Sequence, residues 1–124
     1  MAKQFDHDKL GVYRAAIDWV ADADHVAEQL PRGRGYLADQ LRRASTSVAL
    51  NIAEGAGEFA RDDKARFYRM ARRSATECAA ILDVCRRLEL LDADAYQSGR
   101  DRLLGIVSML VRLIRSVGSA GQAG

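Results

Sequence analysis

The chain has 124 residues and a mass of 13.6 kDa, the size of one domain, with 48% hydrophobic and 29% charged residues. A single proline and ten glycines exclude collagen-like repeats and low-complexity disorder, so a core should be buried. The net charge of +2 argues neither for nor against nucleic acid, but by segment residues 1–30 sum to −3, 31–73 to +5 and 74–124 to zero, which focuses the positive charge in the middle.

Sparse glycine and proline and the absence of sustained alternation predict an all-α chain of four helices. The first spans about residues 8–30, with Leu10, Tyr13, Ile17, Val20 and Ala27 on one apolar stripe and Val12, Ala16, Trp19, Ala23, Val26 and Leu30 on another, so it should have two packing partners. Pro31 ends it, and a short basic turn leads to a second helix over about 36–56. There Leu37, Leu41, Ala44, Val48, Ile52 and Gly55 form the core face, while Arg43, Ser47, Asn51 and Glu54 stack along one edge. A loop from Gly55 to Asp63 follows, with Asp62 or Asp63 placed to cap the third helix.

That helix spans about 63–91, and a heptad reading puts Phe67, Met70, Ser74, Glu77, Ile81, Val84, Leu88 and Leu91 on its seam, with Ala71, Cys78 and Cys85 beside it. Arg66, Arg69, Arg73 and Arg87 lie within a ~60° arc at 100° per residue and make a basic ridge. The fourth helix spans about 93–117, with Tyr96, Leu103, Val107, Leu110, Ile114 and Val117 as its seam, before a small-residue tail, 118–124, that is expected to be mobile. Short connections imply an antiparallel up-down-up-down four-helix bundle. The apolar surplus on the first and fourth helices argues for a homo-oligomer.

Little in the sequence points to catalysis. His7 and His25 belong to no cluster with metal-ligand spacing, so neither metal nor cofactor is expected. Gly55-Ala-Gly57 lacks the strand before it and the Lys-Ser/Thr after it that a phosphate loop needs, and reads as a helix end. Ser45, Ser47 and Ser74 have no base at identifiable spacing, so an enzyme is not expected. Cys78 and Cys85 would stand roughly 10.5 Å apart on one helix, beyond disulfide reach, and read as small buried hydrophobes. The longest uncharged stretch of the C-terminal region, Leu103 to Val111, is too short to span a bilayer, and the amino terminus has no signal-like apolar run; a cytoplasmic protein that avoids membranes is expected.

Two polar features stand out. Glu54 and Glu77 could form a paired-carboxylate site across facing helices, but the Glu-x-x-His partners of such bundles are missing. The favoured reading is a structural hydrogen-bond network of Arg43, Ser47, Asn51, Glu54, Ser74 and Glu77. The second feature is arginine itself, 16 of the 19 basic residues and the better side chain for bidentate phosphate contacts. Candidate nucleic-acid contacts are Arg32, Arg34, Arg42, Arg61, Arg66, Arg69 and Arg73; without interleaved aromatics, binding should be directed at the backbone of RNA or DNA.

The segment Gln40-Leu-Arg-Arg-Ala-Ser-Thr-Ser-Val-Ala-Leu-Asn-Ile-Ala-Glu-Gly-Ala-Gly57 resembles the hallmark of the four-helix-bundle proteins encoded within intervening sequences of bacterial 23S ribosomal RNA. Phe5, Leu10-Gly-Val-Tyr13 and Phe67-Tyr-Arg-Met-Ala-Arg-Arg-Ser-Ala-Thr-Glu77 extend the resemblance over residues 5 to 117. Two positions depart from it: Glu58 stands where the family has a basic residue, and Arg73 where it has glycine. The resemblance implies an antiparallel bundle in a pentameric ring with no known enzymatic activity. Its signature maps onto Arg42, Arg43, Asn51, Glu54, Gly55, Ser74 and Glu77. A related branch serves diversity-generating retroelements as an accessory protein, a basic pentamer that binds nucleic acid and a reverse transcriptase. Three readings follow: a nucleic-acid-binding oligomer, an accessory subunit that recruits a partner such as a reverse transcriptase, and a structural or vestigial bundle.

Overall fold

The computed structural model describes residues 3–123, with side chains described as far as Gly118. A 3-10 turn at Asp6–Lys9 precedes four helices, α1 (Gly11–Gln29), α2 (Gly35–Gly57), α3 (Arg61–Arg87) and α4 (Ala93–Ala123), and the described residues contain no strand. Each helix packs along its predecessor, and α4 also meets α1, more loosely. Asp24 near the end of α1 pairs with Arg42 early in α2 at 2.8 Å, and Asp83 near the end of α3 meets Arg100 early in α4 at 3.2 Å. Such late-to-early pairings make successive helices antiparallel, as short connections require.

Local chemistry sets the helix ends. The first helix begins at Gly11 instead of Asp8, because Leu10 is extended and the Asp8 carboxylate instead accepts the Phe5 N–H at 2.9 Å. The third stops at Arg87, short of the expected Leu91. Glu89 adopts φ 60°, and the Leu90 and Glu89 N–H groups donate to the Cys85 and Arg86 carbonyls at 2.8 and 3.0 Å, which closes the helix in a Schellman turn. Asp92 then caps α4 by accepting the Ala95 N–H at 2.8 Å. Helix α4 continues beyond the expected end at Val117 to Ala123, and Gly124 lies outside the described residues.

The α2–α3 connection differs from expectation. Ala60 takes the N-cap position without a side-chain hydrogen bond, and Asp62 and Asp63 sit in the first turn, where negative charge favours the helix dipole. Lys64 reaches back, its Nζ donating to the Gly55 and Ala56 carbonyls at 3.2 and 2.9 Å, and so satisfies carbonyls at the end of α2.

The core takes Val12, Ala16, Trp19, Ala23 and Ala27 from α1, Leu37, Leu41, Ala44, Val48 and Ile52 from α2, and Leu103, Ile106 and Leu110 from α4. On α3 the buried row is Tyr68, Ala71, Ala75, Cys78, Leu82 and Cys85. It too repeats every three and four residues, but it runs beside the expected seam; of that seam only Ile81 is buried, while Met70, Glu77, Val84 and Leu88 are exposed. The reason is steric. Small side chains on α3 let neighbouring backbones approach and make room for Trp19, which is buried with its ring edge against Gly99. Burial pushes the Cys78 thiol up to about 11, and the buried Trp19 Nε1 nearby has no aligned hydrogen-bond partner among the described residues. On the looser α1–α4 side, Asp22 and Arg102 form an ion pair at 2.9 Å without an aligned hydrogen bond.

Gly55 marks the closest approach of α2 to α3: a Cβ there would lie 2.7 Å from Cε1 of the buried Tyr68 ring. Overpacking of this kind costs about 1–3 kcal/mol, which outweighs the ~1 kcal/mol that alanine gains over glycine in a helix. Gly55→Ala should therefore lower the urea midpoint with an unchanged m-value. At Glu89, by contrast, the left-handed backbone costs an L-residue about 1–2 kcal/mol. Glu89→Gly should raise stability by about 0.5–1 kcal/mol in the same measurement, the entropy of the unfolded glycine offsetting the rest.

Candidate functional site: an arginine ridge beside an apolar face

Arg66, Arg69 and Arg73 lie on the side of α3 opposite its buried row and are all exposed, as is Arg61 in the first turn. Arg66 stands 3.8 Å from Asp63 and lies over the Phe67 ring at 4.5 Å, while Arg69 and Arg73 make no ion pair among the described residues. The other candidate arginines are elsewhere. Arg32 is exposed in the α1–α2 connection, and Arg34 beside it donates to the Tyr36 hydroxyl at 3.0 Å. Both sit at the end of the bundle away from Arg61, since α1 and α2 join at the end where α3 finishes. Arg42 faces α1, and its hydrogen bond to Asp24 holds its guanidinium even more firmly charged. The ridge is therefore Arg66, Arg69 and Arg73, with exposed Arg72 beside it, while Arg61, five residues before Arg66, lies about 140° round the helix from it.

The expected polar network divides in the same way. Ser47 and Ser74 share a hydrogen bond of 2.8 Å between α2 and α3, and the Asn51 amide donates to the Ser47 carbonyl and hydroxyl at 2.9 and 3.0 Å. Arg43, Glu54 and Glu77 are exposed and make no hydrogen bond or ion pair among the described residues, which corrects their assignment to a buried network. Glu77 faces water because α3 is turned so that its small-residue row, and not the Ser74–Glu77 seam, enters the core, and Arg43 and Glu54 lie on α2 outside its buried face. The described residues hold no group of three or more His, Cys, Asp or Glu suited to a metal, and no helix is long and apolar enough to cross a membrane.

The displaced seam leaves an apolar face. Exposed Met70, Val84 and Leu88, with half-buried Phe67, follow one side of α3, and exposed Tyr36 and Leu50 lie on the outer side of α2. Arg43, Glu54, Glu77 and the Ser47–Ser74 pair lie among them, so the face carries the polar edge of the motif at 40–57, whose Leu41, Ala44, Val48, Ile52 and Gly55 are buried in the bundle.

The family described as 23S rRNA-intervening sequence protein matches residues 8–112. The chain belongs to this family. A crystal structure described as a protein with unknown function from the S23 ribosomal protein family of Bacteroides thetaiotaomicron is similar to it, with a TM-score of 0.79 and 21% identity over 84% of this chain and 95% of that one. At that identity the likeness speaks for the shared fold. No curated protein matches the chain significantly.

Within this intervening-sequence protein, residue pattern pointed to the α3 ridge but not to three features. Lys64 as the cap of α2 and Tyr68 as the partner of Gly55 depend on the α2–α3 crossing. Phe59, 99% exposed just before Arg61, stands in a connection that periodicity cannot place. The separation of the polar row can be measured directly. Ser74→Ala, which removes the interhelical partner of Ser47, should cost about 1 kcal/mol, whereas Glu77→Gln should stay within about 0.5 kcal/mol by thermal or urea unfolding.

Proposed function

We propose that this protein is a non-enzymatic assembly of four-helix bundles, a pentameric ring, whose arginine ridge holds the phosphate backbone of RNA or DNA. The observation that carries the reading is the outward row Arg66, Arg69 and Arg73, two of whose members have no carboxylate partner among the described residues. Unpaired guanidiniums on a rigid helix offer bidentate donors at fixed spacing, with Arg66 to Arg73 rising roughly 10.5 Å along the axis. Repetition around a ring would join these ridges into one positive surface, whose field exceeds that of a single subunit. Because the ridge is arginine flanked by few exposed aromatics, the contacts would be to phosphate and sugar, with little sequence preference.

Assembly is supported by the apolar α2–α3 face, since a contiguous exposed patch rimmed by polar groups marks an interaction surface in a soluble protein. A salt titration of binding to a labelled structured RNA and a matched DNA duplex tests the nucleic-acid reading. Binding should weaken steeply with salt. The Arg66→Glu, Arg69→Glu and Arg73→Glu triple variant should bind at least tenfold more weakly, with a log–log slope shallower by roughly 0.7–0.9 for each phosphate that is no longer neutralised. Absence of binding near 50 mM salt, where arginine holds phosphate strongly, would overturn the reading.

A further inference from the structure

Helix α1 is joined to the rest of the molecule differently from the other three. Its buried side chains are Val12, Ala16, Trp19, Ala23 and Ala27, so Trp19 supplies most of the apolar surface that α1 fixes in the core. The remaining large core side chains, Leu41, Ile52, Leu82, Leu103, Ile106 and Leu110, all belong to α2, α3 and α4. Polar ties divide in the same way. Among the described residues α1 meets the other helices through two ion pairs, Asp24 with Arg42 at 2.8 Å and Asp22 with Arg102 at 2.9 Å. Both are partly open to water, and such pairs contribute little. By contrast, α2 and α3 share the half-buried Ser47–Ser74 bond and the Lys64 bonds to the Gly55 and Ala56 carbonyls, while Asp83 of α3 accepts from Tyr96 and Arg100 of α4 at 2.6 and 3.2 Å.

Two side-chain polar atoms of the described residues are shut from water without an aligned partner, and both are on α1: Trp19 Nε1 and Asp22 Oδ2. An unmatched buried polar atom disfavours the closed arrangement, and water would satisfy both atoms once α1 moved away. The surroundings leave room for that movement. A cleft of about 220 Å³ lies between α1 and α4 beside Trp19, Asp22 and Arg102. In the connection to α2, Pro31, Arg32 and Gly33 are exposed, Gly33 with φ 95°, and the 3-10 turn before α1 has no buried residue.

We propose that α1 is a lid, which opens as one unit about the connection to α2 while α2, α3 and α4 stay packed, with Trp19 as its latch. Opening withdraws the indole edge from Gly99 and uncovers Cys78, which lies next to the indole and is fully buried in the closed form. Lid opening depends on neither assembly nor nucleic-acid binding.

Hydrogen exchange of the purified protein, followed by mass spectrometry, reads the opening helix by helix. Amides in the middle of α1 should exchange together, faster than those in the middle of α3 by roughly tenfold or more. The Cys78 thiol should react with N-ethylmaleimide at a rate set by the same opening. Two variants separate the lid from global unfolding, with circular dichroism as the check of fold. Ser74→Ala breaks a joint that the open form keeps, so it should speed α3 exchange about fivefold and leave α1 exchange unchanged. Trp19→Phe loosens a contact that is lost in both processes, so it should speed both. Equal exchange of α1 and α3 in the wild type, or exchange that spreads along α1 from one end, overturns the lid. So does α1 exchange that rises with Ser74→Ala as much as that of α3, and so does a Cys78 thiol that reacts only as fast as α3 exchanges. If Trp19→Phe does not fold, the wild-type comparison and Ser74→Ala still decide.

Discussion

The interior of this bundle is governed by how closely α3 approaches its neighbours. Alanine and cysteine occupy most of its buried row, Gly55 of α2 admits the Tyr68 ring, and Gly99 of α4 admits Leu82 and the edge of Trp19. Helices separated by small side chains gain close contact along their length, and the few large side chains, Trp19 above all, fill what remains. A larger residue at Gly55 or Gly99 would meet side chains that have no room to withdraw, so the crossing is fixed at both ends of α3.

The same constraint shapes the surface. With Ala71, Ala75 and Cys78 turned inward, the larger Met70, Val84 and Leu88 have nowhere to go but out, and Leu50 joins them from α2. An interior filled by small residues thus produces an apolar exterior on one side of the molecule. Around it the charged groups stay exposed and mostly unpaired, so they keep their fields for whatever comes against them. Among the ion pairs, Arg42 with Asp24 and Arg100 with Asp83 clamp neighbouring helices near the ends where they join.

Candidate residues for a site therefore fall into two kinds. Ser47, Asn51 and Ser74 meet at the α2–α3 junction and link those helices through a half-buried hydrogen-bond set. Arg43, Glu54 and Glu77 share their helical rows but point to water, where an approaching surface could read them. Residues adjacent on one helical stripe have separated into joint and surface because the stripe straddles the edge of the interface.

The sequence by itself determined the all-α class, the number and order of helices, the core face of α2, one of the two apolar stripes of α1 (Ile17 of the other is exposed), and the basic side of α3. Each follows from periodicity and charge, which are properties of one helix at a time. It did not determine which of two heptad rows on α3 is buried. Both rows repeat correctly, and the one with larger hydrophobes is the natural choice for an isolated helix; only the spacing of four packed helices favours alanine and cysteine inside. The left-handed Glu89, the Lys64 cap and the Gly55–Tyr68 contact were hidden for the same reason, since each depends on where another segment lies. Rotation of α3 about its own axis, a tertiary variable set by packing density, decided whether the motif residues became core, joint or face.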